Sequence, residues 1–174
     1  MAVGNLEFIK SASGTSVSSL SVTDCFSDKY DVYMISISKI DKSTIGQTRL
    51  RFIDSGGSVI SDAEYDYAEL GLTSYAAFSE TRATNATFLD GLGYSSTALA
   101  DGIGTTSYVF NPYDSSSYTF TTSQSSGLYN VGGGGLVGFK QIGVHKVAEQ
   151  ITGINVLPNS GTYDNITVNV FGVK

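Results

Sequence analysis

The chain has 174 residues and a mass of 18.3 kDa, the size of one domain, and that length buries enough surface to fold without disulfide or metal staples. Its 25 Ser, 17 Thr and 20 Gly stand against 41% hydrophobic residues, too many for a disordered polar tract, and 11 Tyr with 9 Phe favour strands over helices. Ten Lys and Arg against sixteen Asp and Glu give a net charge of −6, which excludes a binder of nucleic-acid phosphates, while the single Cys25 and single His145 exclude internal disulfides and paired-His metal motifs.

In chain order, no charged-then-apolar leader precedes Leu6, so no standard export signal is expected. The chain has no run of 18 apolar residues, so no membrane span or membrane partner is expected either. Residues 1–14 read as an N-terminal arm or edge strand, and residues 15–174 as one β-sandwich domain. Residues 6–10 and 17–23 are short strand candidates. Residues 30–40 alternate with two apolar faces, Tyr33, Ile35 and Ile37 on one and Val32, Met34 and Ile40 on the other, which suits a long strand inside a two-layer structure. In residues 47–52, Thr48, Leu50 and Phe52 face one way and Gln47, Arg49 and Arg51 the other, predicting a strand with one solvated face.

Asp54-Ser55-Gly56-Gly57 is a hairpin-type turn leading into residues 58–60. Residues 63–70 are compatible with a helical turn or a strand. Further strands are expected at 84–89, 107–110, 117–122, 138–147 and 150–157, with Asn111-Pro112-Tyr113-Asp114-Ser115 as a hairpin loop and the glycine run of 131–135 as another loop. Residues 162–171 alternate Ile166, Val168 and Val170 against Thr167 and Asn169, and a strand ending the chain is expected to close a sheet. The predicted inner face comprises Val32, Met34, Leu50, Phe52, Ile166, Val168 and Val170. The expected fold is all-β, an antiparallel β-sandwich of jelly-roll type.

No catalytic constellation emerges. Gly132 to Gly135 lack the Gly-Lys-Ser/Thr ending that a phosphate loop needs. No Gly-x-Ser-x-Gly elbow presents a serine to His145, which reads as a solvent-facing or interface imidazole on a strand. Asp62, Glu64 and Asp66 fall at period two and read as a solvated acidic face or as partners for Arg49 and Arg51 across a sheet. No catalytic, cofactor-binding or metal-binding residue is therefore assigned, and no cofactor is expected. Eight of the eleven tyrosines lie between Tyr65 and Tyr129 among Ser, Gly and Asn, a composition suited to contact surfaces. Tyr75 and Tyr94, with Tyr113 and Tyr118 from the adjacent hairpin, form the candidate contact surface.

Three segments carry a resemblance. Tyr30-Asp31-Val32-Tyr33-Met34-Ile35-Ser36-Ile37 is followed by Leu50-Arg51-Phe52, the Gly56-Gly57 turn and Tyr65-Asp66-Tyr67. Near the end come Ile151-Thr152-Gly153-Ile154, Ser160-Gly161 and the alternating strand to Lys174. Together they resemble small β-rich virion proteins of marine, especially cyanobacterial, tailed phages, although Phe171 stands where a Tyr is more usual. The resemblance implies a lectin-like jelly roll that is a non-enzymatic structural subunit of the virion, decorating the capsid or building the tail, assembled in the host cytoplasm. Its expected partners are other copies of itself, with a trimer as first expectation, and other virion proteins. The alternative is a carbohydrate-binding module for host surface glycans at a fibre or tail tip.

Overall fold

The computed structural model describes residues 5–95, 97, 103–129 and 135–174. Twelve strands follow in order: β1 (Leu6–Gly14), β2 (Leu20–Val22), β3 (Val32–Lys42), β4 (Gly46–Asp54), β5 (Tyr65–Thr73), β6 (Ser79–Ala86), β7 (Tyr94–Ser95), β8 (Ile103–Phe110), β9 (Thr119–Tyr129), β10 (Gly135–His145), β11 (Ile151–Pro158) and β12 (Tyr163–Val173). Every pairing is antiparallel, and no helix occurs among the described residues. Two sheets pack face to face, an eight-stranded one in the order β1-β12-β3-β8-β9-β10-β5-β6 and a four-stranded one in the order β2-β11-β4-β7. The β-sandwich expected from the alternation is present. An eight-plus-four division with a β8-β9-β10 meander does not by itself make the double Greek key of a jelly roll.

Residues 63–70, open between helix and strand in the sequence, lead into and form β5, and the β8–β9 hairpin turns through Asn111 and Pro112 as expected. Asn111 adopts a left-handed φ of 54°, which Asn tolerates better than most residues. The turn at Asp54 also forms, closed by Gly57 N to Asp54 O at 3.1 Å and by Ser58 N to the Asp54 carboxylate at 2.9 Å. Residues 58–60 supply an isolated bridge there instead of a strand. The strand expected at 84–89 is displaced: β6 ends at Ala86, and residues 87–93 run across the sandwich interior. Of the glycine loop, residues 131–134 lie outside the described residues, and Gly135 opens β10.

The core between β3, β12, β4 and β11 is apolar. Leu50, Phe52, Ile166, Val168 and Val170 are buried there as expected. Val32 and Met34 are not; Tyr33, Ile35 and Ile37 point inward in their place. The register explains the inversion: Val168 pairs with Ile37 and Val170 with Ile35, and directly paired residues share a face. After Ile37 the register shifts, with Lys39 at a left-handed φ of 54°, and this bulge turns Ile40 inward as well. The final strand β12 does not close the sheet, because β1 pairs along its outer side. Gly172, which breaks the apolar row of β12, is needed there because the Tyr30 ring packs where its Cβ would stand.

Candidate functional site

The four tyrosines singled out from the sequence do not form one patch. Tyr75, half exposed, sits in the β5–β6 loop beside Gly135 at the start of β10. Tyr118, also half exposed, precedes Thr119, which pairs with His145 at the far end of β10, about 33 Å away at 3.3 Å per residue. Tyr94 on β7 is partly buried and stacks on Phe139 with ring centroids 6.5 Å apart, and Tyr113 packs against the core. Tyr65, another of the clustered tyrosines, is fully buried; its hydroxyl donates to Ile60 O and accepts from Phe52 N, each at 3.1 Å.

The larger surface feature is the outer face of the eight-stranded sheet. One cross-strand row passes through all eight strands: Phe8, Phe171, Met34, Tyr108, Thr122, Ile142, Ala68 and Arg82. A second row, Val32, Phe110, Phe120, Val144 and Asp66, runs beside it. Ile142 is 63% exposed, Phe8 58% and Phe120 47%, so these side chains meet solvent directly. The neighbouring row on the other side is polar, with Ser11, Asn169, Ser36, Thr106, Gln124, Lys140 and Glu80 interrupted only by Leu70. Over β5, β9 and β10 this face is concave. It forms two adjoining troughs of about 800 and 720 Å³ that share Ala68, Arg82, Thr122 and Ile142.

The inner face of β9 is polar, and polar side chains join it from β8 and β10 beside the apolar Val137 and Phe139. Thr119, Thr121, Ser123 and Ser125 of β9 are buried, as are Thr105 and Ser107 of β8 and Gln141 of β10. The Ser107 and Ser123 hydroxyls bond to each other at 2.6 Å, Ser125 Oγ accepts from Phe139 N at 3.3 Å, and Thr105 donates to Leu92 O. These small side chains and several glycines let the 87–93 segment approach closely: a Cβ at Gly143 would stand 2.6 Å from Leu89, and one at Gly91 2.3 Å from Glu69. Arg49 and Arg51 are partly covered by this segment and are not paired with the acids expected. Arg49 Nε lies 3.2 Å from Asp90 and its guanidinium lies over the Phe88 ring, while Arg51 donates to Thr87 O at 2.8 Å. Burial raises the Glu69 and Asp90 carboxyls above their ordinary range and lowers Lys42, whose ammonium donates to Gln47 O, to about 8.

His145 is fully buried, contrary to the solvent-facing position expected for it. Its β10 position points it into the sandwich, where it lies against the Tyr65 ring at 5.1 Å and the Phe52 ring at 6.1 Å. Nε2 lies 3.0 Å from Glu64 Oε2 and 3.5 Å from Glu149 Oε1. Glu64 precedes β5 and its carbonyl accepts from Lys146 N at 2.8 Å; Glu149 lies in the turn between β10 and β11. Burial raises the Glu149 carboxyl, with His145 acting in the opposite sense and the Glu64 and Asp54 charges reinforcing the rise. Of the acidic triplet, Asp66 pairs instead with Lys146 at 2.8 Å, and Asp62 is exposed. Glu149 carried no motif that could have marked it, and the one legible signal was that His145 and Glu149 are four residues apart.

Cys25 is buried and its thiol is pushed up to about 12 by desolvation, so it is not an activated nucleophile. No protein family and no curated protein matches this sequence.

Proposed function

We propose that the chain is a non-enzymatic structural subunit of a phage virion, in the capsid decoration or the tail, and that it assembles with copies of itself through the outer face of its larger sheet. The observation that carries the assembly is the inverted polarity of β9, which buries Thr and Ser and presents Phe120 to solvent, with Ile142 of β10 exposed beside it. A folded chain gains nothing from that arrangement alone, whereas a covered face gains the burial of the exposed side chains. At about 4.8 Å per strand the first row spans about 38 Å and the second about 24 Å, and with a width of about 7 Å each two copies would bury about 900 Å², the size of a weak interface. The virion setting is supported by the strand motifs 30–37, 50–57 and 151–174 that resemble marine phage proteins. A trimer is the expected assembly, and a net charge of −6 fits a subunit that does not contact nucleic acid.

Sedimentation at micromolar concentration tests the assembly. The wild-type chain is expected to sediment as an oligomer and Ile142→Lys as a monomer. A wild-type monomer that is also absent from particles would overturn the reading.

A second reading, host-glycan binding, is favoured by the troughs, whose volume suits a small ligand and whose walls mix Tyr108 with Arg82, Glu80, Gln124 and Lys140. A glycan array separates the two, since a purely structural subunit binds nothing on it.

A further inference from the structure

We propose that Glu64, His145 and Glu149 form a binding site for one divalent transition cation of the Zn²⁺ class, which staples the β10–β11 turn to the start of β5. The inference is independent of the virion reading. Three donor atoms from three places in the chain, Glu64 Oε2, His145 Nε2 and Glu149 Oε1, lie within 4.8 Å of one another. A tetrahedral ion with bonds of about 2.1 Å sets its ligands about 3.4 Å apart, and the two distances from Nε2, 3.0 and 3.5 Å, bracket that value.

The donor chemistry points the same way. Without an ion, Nε2 can offer at most one hydrogen to two carboxylates. A dication instead satisfies the Nε2 lone pair and both carboxylates together and balances their two negative charges. One imidazole among the donors favours Zn²⁺ over Ca²⁺ or Mg²⁺, which take oxygen ligands.

Position fits a structural staple. His145 is fixed by the sheet ladder, paired with Tyr65 on one side and Thr119 on the other, and the Tyr65 and Phe52 rings hold its imidazole from the interior. The two carboxylates are each about one-third exposed, 31% and 33%, which leaves a path for the ion from solvent and a fourth position for water. Lys146, the nearest cation in sequence, is engaged by Asp66 and Asn85, away from the three donors.

The test is titration of the chelator-treated full chain with Zn²⁺ by calorimetry, together with Co²⁺ absorption in the visible range. One ion per chain is expected to bind, with a rise in melting temperature and the Co²⁺ bands of a four-coordinate nitrogen and oxygen site. Glu149→Gln, at a third-exposed turn position and expected to fold, should weaken binding more than tenfold and abolish the bands. Glu64→Gln should do the same, whereas Asp62→Asn, at a nearby exposed acid that touches none of the donors, should bind as wild type. Absence of binding up to millimolar Zn²⁺, or binding unchanged in both Glu64→Gln and Glu149→Gln, would overturn the assignment and leave the cluster as a buried ion pair.

Discussion

Strands β12 and β9 belong to the same sheet and have the same length, yet they are built inside out relative to each other. β12 buries Ile166, Val168 and Val170 and turns Thr167 and Asn169 toward the outer face. β9 buries Thr119, Thr121, Ser123 and Ser125 and exposes Phe120 and Leu128. The difference follows from what lies opposite. β12 faces the apolar side chains of β4 and β11, so burial of branched aliphatics stabilises that half directly. Beneath β8, β9 and β10, by contrast, runs the 87–93 segment with its own backbone polar groups, and hydroxyls satisfy carbonyls such as Leu92 O where aliphatics could not. The apolar residues of β9 and Ile142 of β10 are left for the outer face, where only association can cover them.

Breaking the apolar half should have the largest effect. Phe52→Ala, at a fully buried position, is expected to cost about 3–5 kcal/mol in denaturant unfolding. In the polar half the limit is space, and there Gly143→Ala should cost about 1–3 kcal/mol, because its Cβ would meet Leu89, Gln141 and Thr121 within 3 Å. Ser123→Ala, which removes the bond to Ser107, should cost about 1 kcal/mol by the same measurement. A loss above about 3 kcal/mol at Ser123 would mean that the hydroxyl network, not close approach, holds that half together. Ile142→Lys on the outer face should change monomer stability by less than about 0.5 kcal/mol while altering association, which separates the two faces of one strand.

The smallest effect concerns the free edge. Glu7 bonds to Lys29, Tyr30 and Lys174, and these partners lower its carboxyl to about 2. A depressed folded value means that its contribution is complete above the ordinary value of 4.5 and is lost as the pH falls through about 2. The protection of β1 amides against exchange, taken relative to the intrinsic rate at each pH, should therefore fall on acidification through that window in the wild type and not in Glu7→Gln.

Alternation alone was enough to locate Thr48, Leu50 and Phe52 on one face of β4, because the arginines opposite left no choice. It was enough as well for the inward row of β12 and for the turns at Asp54 and Asn111, where Gly, Pro and Asn restrict the backbone. In β3 both faces were apolar, so its inner face was decided only by pairing with β12. Only the tertiary structure buried His145, since its partners Glu64 and Tyr65 lie some eighty residues away and are brought alongside by the β5–β10 ladder. The inside-out character of β9 was likewise undecided by sequence: its Thr and Ser read as solvent-facing until residues 87–93 pack closely beneath β9 and β10 and leave room only for small side chains.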